Sequence, residues 1–177
     1  MFLDPNTLSD DGTVALTGVF QSHDGKYTAY TISRSGSDWT EIYVLDTESG
    51  KLLPDHIEWA KFTGVEWQGD GFYYSAYDAP APGSERSGAN YNHKIMHHTL
   101  GTPQSADTEA FTDPAHPLHF HTSQVARDES MMAVFTGGEG SGDAVMVKDL
   151  RRPGAQWTVI EPSQDFENEV VDMVDGT

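Results

Sequence analysis

The serines are the first residues to consider for chemistry, because a serine hydrolase usually presents its nucleophile as Gly-x-Ser-x-Gly on a strained turn between a strand and a helix. No serine in the sequence has glycine both two positions before it and two positions after it. The segment GGEGSGD, residues 137–143, is similar, but Ser141 has Glu139 and Asp143 at those positions. We interpret this segment as a hairpin loop. The spacing of its glycines also does not match a dinucleotide-binding fingerprint. The sequence therefore predicts no catalytic residue in this chain.

The histidines form two groups that suggest metal binding. His119 and His121 are expected to share one face of a strand, whereas His93, His97 and His98 lie close together in the sequence. A zinc site needs three or four converging ligands, and because the chain has no cysteine, Asp or Glu would have to complete either group. The two groups fall in different structural contexts. We therefore expect histidines that are exposed or packed in strands, with no metal site and no cofactor.

Acidic residues are too numerous for their proximity to indicate acid–base catalysis. The chain has 28 Asp and Glu against 10 Lys and Arg, a net charge of −18. We interpret Asp10–Asp11 and Asp128–Glu129 as turn residues. Such a surface repels nucleic acid and anionic membranes, since both are bound through Lys and Arg. Solvation of the surface explains the charge better than an acidic docking site does.

Targeting signals are also lacking in the sequence. No apolar run approaches the roughly 20 residues that span a bilayer. The opening segment MFLDPNTLSDDG has no basic region followed by an apolar one, so it is not a signal peptide. It is typical of the interior of a longer protein. We expect a soluble protein, cytoplasmic or periplasmic, with the compartment left open.

The elements that would position any site are predicted to be strands. Short runs rich in β-branched and aromatic residues, bounded by Gly, Asp and Ser, indicate strands at 26–33, 40–47, 71–77, 131–137 and 144–150. No segment of 11 or more residues has a convincing helical period. The segment SQDFENEVVDMV, residues 163–174, is the best helical candidate, but its β-branched residues and the following Asp-Gly favour a strand.

A turn signal recurs before these strands. It is centred on Asp24, Asp70, Asp128 and Asp175, at intervals of 46, 58 and 47 residues. The long middle interval contains a Pro-, Gly- and Ser-rich insertion at 78–92, without which the spacing is nearly uniform. Asp-Gly suits a tight hairpin because glycine accepts positive φ. Four short antiparallel strands in about 45 residues are typical of a β-propeller blade.

The predicted fold class is therefore all-β, a partial β-propeller of about three four-stranded antiparallel blades. Approximate limits are 13–57, 58–113 and 118–162, with the start of a further blade at 163–177, all within one segment, 1–177. A propeller usually closes with about four to eight blades. The open edges then predict either a longer polypeptide or self-association.

Several phrases of the sequence resemble the propeller domain of the prolyl oligopeptidase family of serine peptidases. They are FLDPNTLSDDGTVAL (2–16), SGSDW (35–39), LPDHIEWAKFTGVEW (53–67), NHKIMHHTLGTPQSAD (92–107) and FENEVVDMVDGT (166–177). The resemblance implies a seven-bladed parent propeller over an α/β-hydrolase domain that cleaves after proline with a Ser-Asp-His triad. The hydrolase domain is not part of this sequence, so the chain alone is expected to be inactive.

Two residues acquire a functional interpretation from this resemblance. Phe62 matches an aromatic residue bordering the family's peptide cavity, and the alternative is a residue of the blade core. Asp38 matches an acidic residue facing the hydrolase domain near the substrate pocket, and the alternative, a turn or cap residue, is slightly favoured. Trp39, Trp59 and Trp67 are interpreted as blade packing rather than as a recognition cage.

The resemblance implies that the chain gates and lines access to a site that hydrolyses short peptides after proline. Its partners would be the parent hydrolase domain and short proline-containing peptides. One alternative is a free-standing module that binds peptides or copies of itself without catalysis. A weaker alternative is a carbohydrate-binding propeller, which would need aromatic platforms on a common face.

Overall fold

A computed structural model of the protein describes residues 3–85, 88 and 90–171. Strands dominate this part of the chain, and its helices are single 3₁₀ turns at Pro5–Thr7 and Gln104–Ala106. No helix in the described part is long and apolar enough to cross a membrane. The strands are β1 Val14–Gln21, β2 Tyr27–Arg34, β3 Thr40–Asp46, β4 Leu52–Ala60, β5 Glu66–Gln68, β6 Gly71–Ala76, β7 Lys94–Thr99, β8 Thr108–Thr112, β9 Phe120–Val125, β10 Met131–Gly137, β11 Ala144–Asp149 and β12 Thr158–Glu161.

The strands form three successive antiparallel groups of four: β1–β4, β5–β8 and β9–β12. Within each group, neighbours in the sequence are neighbours in the sheet. The first two groups are joined by a single pairing, Ala60 with Ala76, where β4 meets β6. The arrangement confirms the predicted all-β class and partial propeller. We call the groups the first, second and third blade, and the limits predicted from the sequence stay predictions.

The blades pack face to face, and strand β6 shows how. Successive side chains of a strand point to opposite faces of its sheet. Phe72 and Tyr74 pack in a cluster with residues of the first blade, including Ile42 and Ile57. Tyr73, between them, packs instead with residues of the third blade. Every residue of β6 is buried as a result, because this strand has a neighbouring blade on each side.

The recurring turns form the hairpin tips of the blades. Asp24 accepts hydrogen bonds from the Ser22 hydroxyl at 2.8 Å and the Lys26 amide at 3.0 Å, which closes the turn between β1 and β2. Asp128 similarly accepts one from the Ser130 amide at 3.0 Å. These contacts confirm the turn assignments at the two positions. Asp175 lies outside the described residues.

Glu129 links the tips of all three blades. It occupies the position that follows the turn aspartate, where Gly25 stands in the first blade, and like Gly25 it has positive φ, 58° against 75°. Its carboxylate accepts a hydrogen bond from the Gly69 amide at 2.6 Å and lies 3.2 Å from His23 Nδ1. Glycine would adopt this positive φ without strain, but it would lack the carboxylate. Glu129 therefore accepts a less favourable backbone conformation and gains contacts between the blades.

The segment LGTPQSAD, residues 100–107, holds the second blade against the first. The Gln104 amide spans the backbone of Glu58 in β4: its Nε2 donates to the Glu58 carbonyl at 2.9 Å, and its Oε1 accepts from the Glu58 amide at 3.0 Å. Asp107 accepts a hydrogen bond from the Tyr74 hydroxyl at 2.7 Å. The segment is the turn between β7 and β8, and its polar residues satisfy groups of both blades.

The segment after β12 differs from the prediction. We expected a strand at 163–174, but residues 163–171 form no strand, and residues 172–174 lie outside the described part of the chain. Instead the backbone packs on the loop between β10 and β11: the Gly142 amide donates to the Gln164 carbonyl at 2.8 Å, and the Asp143 amide to the Phe166 carbonyl at 3.0 Å. A side chain at Gly142 would collide with the Phe166 backbone. The same loop confirms the hairpin predicted around Ser141.

Candidate functional site

Phe62 lies in the connection from the first blade to the second, between β4 and β5. Its φ is 51°, a left-handed conformation that is unusual for a residue with a bulky side chain, and the residue is 56% exposed. Strain of this kind costs of the order of 1–3 kcal/mol and persists only where the surroundings impose it. Phe62 is therefore not a blade-core aromatic residue, which was the alternative interpretation of its position.

An apolar groove opens beside Phe62. Its volume is about 430 Å³, and it is lined by Phe62, Thr63, Gly64, Phe120 and Thr122. The Phe62 and Phe120 rings lie 6.0 Å apart, so the groove runs from the first connection to strand β9 of the third blade. Two exposed aromatic rings with few polar neighbours provide a surface for an apolar side chain of a ligand.

Lys61 connects Phe62 to Asp38. Its ammonium nitrogen lies 3.5 Å from Asp38 Oδ2, 5.5 Å from the Phe62 ring centre and 5.3 Å from the Trp39 ring centre. The Lys61 side chain is only 12% exposed, whereas Asp38 is 80% exposed. The two residues singled out in the sequence thus belong to one assembly, with Lys61 between them. Sequence reasoning did not single out Lys61, although it precedes Phe62 directly.

A smaller, more polar pocket of about 240 Å³ lies on the Asp38 side of Lys61, with Trp39 and Glu85 among its lining residues. The Trp39 indole donates a hydrogen bond to the Glu85 carbonyl at 2.7 Å, which attaches the long β6–β7 connection to the first blade. Trp39 meets Trp59 edge to face at 5.5 Å. Trp67 is buried in the core apart from them, so the three tryptophans form no common platform.

Two buried histidines, His93 and His121, lie next to the groove, and the His93 ring is 6.1 Å from the Phe62 ring. His121 donates its backbone N–H to His93 Nδ1 at 2.8 Å, so the proton of His93 is on Nε2, which donates to the Lys61 carbonyl at 2.9 Å. His121 Nδ1 lies 2.9 Å from the Thr136 hydroxyl. Burial lowers the pKa of His93 to about 4, and burial with the nearby His93 lowers the pKa of His121 to about 4. Both rings are therefore neutral at pH 7, and the His93 ring, oriented by the His121 backbone, holds the Lys61 carbonyl in place.

No acyl-transfer machinery is present among the described residues. Ser141 donates its hydroxyl hydrogen bond to the Asp165 carbonyl at 3.1 Å. Within the described ranges, no serine hydroxyl is hydrogen-bonded to an imidazole, the contact that a serine nucleophile needs for activation. The arrangement consists of an exposed apolar groove beside the Lys61–Asp38 ion pair.

A further cluster was missed by sequence reasoning. Asp113, His116 and His119 come together in the connection between β8 and β9, and their ligand atoms all lie within 4.8 Å of one another. His119 precedes β9, so it does not share a strand with His121, contrary to the expectation. The signal in the sequence is the spacing DPAHPLH, in which each ligand is three residues from the next.

Comparison with known proteins identifies the family. A family profile described as prolyl oligopeptidase, N-terminal beta-propeller domain, matches residues 1–176. A prolyl endopeptidase of Elizabethkingia miricola is 38% identical over 152 residues, covering 85% of this chain and 22% of the relative. Prolyl oligopeptidase A of Amanita bisporigera is 34% identical over 174 residues, covering 88% of this chain and 22% of the relative.

Solved structures agree with the sequence relatives. A chain from a structural study of two prolyl endopeptidases superposes with a TM-score of 0.85 at 32% identity, covering 97% of this chain and 24% of that one. Prolyl oligopeptidase B of Galerina marginata, bound to a 35-residue hydrolysis and macrocyclization substrate, has a TM-score of 0.85 at 24% identity, covering 96% of this chain and 26% of that one, and shows the shared fold. The chain spans about a fifth of the length of the curated relatives it matches. It belongs to the prolyl oligopeptidase family and corresponds to part of the N-terminal β-propeller domain.

Proposed function

We propose that this propeller segment lines and restricts the path by which short peptides reach a proline-cleaving hydrolase domain. The observation that carries the proposal is the exposed, left-handed Phe62, which forms an apolar groove with Phe120. An aromatic ring exposed at a cost in backbone strain is better explained by ligand contact than by packing. Proline is a suitable occupant, because its ring is apolar and stacks on aromatic faces with little loss of conformational freedom.

We propose that Asp38 binds a cationic group at the edge of the same surface. Its carboxylate is exposed and anchored on one side by Lys61. From this position it can meet a cationic group of the peptide or of the hydrolase domain. The net charge of −18 adds an attraction for cationic peptides that salt would weaken.

Binding of a fluorescently labelled proline-containing tetrapeptide to the 177-residue chain tests the proposal. We expect Phe62→Ala to weaken binding roughly five- to tenfold, because an aromatic contact contributes about 1 kcal/mol beyond the burial of area. The matched control is Phe166→Ala, which removes another exposed phenylalanine that does not line the groove. Equal affinities for the parent and Phe62→Ala, measured by fluorescence anisotropy, would overturn the proposal.

A second measurement addresses catalysis. A fluorogenic Gly-Pro substrate incubated with the purified chain is expected to give no turnover above buffer, since the chain contains no nucleophile elbow. Turnover that a serine-hydrolase inhibitor abolishes would contradict this expectation.

A further inference from the structure

The connection between β8 and β9 brings Asp113, His116 and His119 to one side through two consecutive turns. The His116 amide donates to the Asp113 carbonyl at 3.1 Å, and the His119 amide donates to the His116 carbonyl at 3.0 Å. Proline follows the first residue of each turn, at Pro114 and Pro117, the position where its fixed φ favours a turn. The two turns fold the connection back on itself, and the ligand atoms of Asp113, His116 and His119 lie within 4.8 Å of one another.

His119 is the unusual member of the cluster. It is 6% exposed, and neither of its ring nitrogens makes a hydrogen bond within the described part of the chain. Its Nδ1 lies 3.3 Å from Asp113 Oδ2, and its Nε2 lies 3.3 Å from Glu139 Oε1 in the β10–β11 loop. Each nitrogen of this buried ring thus faces a carboxylate without a well-aligned hydrogen bond, an arrangement that needs an explanation. A bound metal ion would provide this explanation, since it would coordinate one ring nitrogen and make the N–H of the other a stronger hydrogen-bond donor.

We propose that Asp113, His116 and His119 bind a divalent transition-metal ion of the zinc type, with Glu139 orienting His119. Nδ1 of His119, Nδ1 of His116 and a carboxylate oxygen of Asp113 are the ligands, and solvent completes the shell. Glu139 accepts the Nε2–H of His119, the carboxylate–imidazole–metal arrangement that fixes the orientation and tautomer of a ligating histidine. The site does not depend on the peptide-binding function proposed above.

Binding requires one local rearrangement. The His116 and His119 rings are stacked, with centres 4.5 Å apart and planes at 11°, whereas a metal ion must lie close to the plane of each ligating ring. His116 has an exposed side chain and can turn about its χ angles toward the ion. Asp113 Oδ2 is already 2.8 Å from His116 Nδ1 and 3.3 Å from His119 Nδ1, so the three ligands are close to one another before the His116 ring turns toward an ion at about 2.0–2.2 Å.

The donor set selects the ion. Two imidazoles with one carboxylate suit zinc and its neighbours, whereas magnesium and calcium prefer oxygen ligands only. The bound ion would fix the connection between the second and third blades directly before Phe120, a residue of the apolar groove. It would thereby stabilise the folded chain.

Competition between the chelator-treated 177-residue chain and a zinc-binding dye tests the site. We expect one Zn²⁺ per chain and a thermal unfolding midpoint that rises with Zn²⁺ but not with Mg²⁺. His116→Ala, an exposed position whose replacement leaves the core intact, should weaken binding at least tenfold and abolish the thermal shift. Glu139→Gln should weaken binding about tenfold, the lower end of the effect of outer-shell partners.

The matched control is His56→Ala, which removes another histidine paired with a carboxylate, Glu41, at 2.9 Å. It should bind Zn²⁺ like the parent. The proposal is overturned if the parent binds no Zn²⁺ at micromolar concentrations. It is equally overturned if His116→Ala, shown by circular dichroism to be folded, binds as tightly as His56→Ala.

Discussion

The imidazole of His98 in the second blade lies 3.0 Å from the carboxylate of Asp55 in the first, and both side chains are 1% exposed. The other ring nitrogen of His98 lies 2.7 Å from Asp107. Burial alone would lower the pKa of His98, but the hydrogen bonds to Asp107 and Asp55 outweigh it, and the pKa is raised. An imidazole held between two buried carboxylates thus joins the first two blades, whose one strand pairing in the described part of the chain is Ala60 with Ala76.

Asp55→Ala is expected to destabilise the chain by about 1–3 kcal/mol, because it leaves Nε2 of the buried His98 without its hydrogen-bond partner while Asp107 still contacts Nδ1. It also removes the acceptor of the Gly101 amide, which donates to Asp55 at 2.5 Å. Urea unfolding followed by tryptophan fluorescence measures the change. In contrast, Lys26→Ala removes the exposed ion pair with Asp24 and should leave the midpoint unchanged. Similar midpoints for the two variants would show that the buried pair does not hold the blades together.

Stability is expected to fall as the pH decreases from about 6.5 to about 4. The folded pKa values of His93 and His121, about 4, lie below the value near 6.5 of an unfolded chain, so the unfolded state binds protons first. Each histidine accounts for roughly 3.5 kcal/mol when the shift from 6.5 to about 4 is converted at about 1.4 kcal/mol per pH unit. His98 acts in the opposite direction: its contribution is complete below 6.5 and is lost as the pH rises through its raised folded pKa.

The variant His93→Gln separates these effects. Glutamine can keep an acceptor for the His121 amide and a donor for the Lys61 carbonyl, but it does not titrate. Unfolding free energies at pH 7 and pH 5 should therefore differ less in His93→Gln than in the parent. The same pH dependence in both chains would rule out His93 as a source of acid sensitivity.

Gly142→Ala is expected to destabilise the chain by about 1–3 kcal/mol, the usual cost of an overpacked site. The added methyl group would collide with the Phe166 backbone and displace residues 164–167. Gly64→Ala is the control, because its methyl group would meet the Phe20 ring at an ordinary 3.5 Å. Thermal unfolding of the two variants should differ by several degrees. Equal midpoints would show that the segment after β12 does not pack on the hairpin in solution.

Self-association through the open blade edges stays a prediction. Val159 and Ile160 are exposed on β12, the edge strand of the third blade, where unpaired backbone groups accompany an apolar surface. We expect light scattering to detect dimers or larger species whose share grows with concentration. The double variant Val159→Lys, Ile160→Lys should be monomeric, whereas Leu118→Lys, an exposed leucine in a turn, should associate like the parent. A parent chain that stays monomeric at high concentration contradicts the prediction.

Strand composition and turn spacing were sufficient to predict the all-β class and the hairpin tips, because alternation and left-handed turn conformations depend on residues only a few positions apart. The prediction failed for residues 163–171. Their β-branched residues favour a strand, but contacts with the distant Gly142 loop determine their backbone conformation. Local propensity is a weak guide wherever such tertiary contacts compete with it.

The sequence by itself determined which residue types were available and that Phe62 and Asp38 merited attention. Only the tertiary structure placed Lys61 between them and brought Glu139 to His119, a residue twenty positions away in the chain. The physical reason is that side chains converge through the packing of whole blades. That packing depends on the apolar surface buried between whole blades, for example on the two faces of β6. The two residues of each such contact come from distant parts of the chain, so a short stretch of sequence contains only one of them.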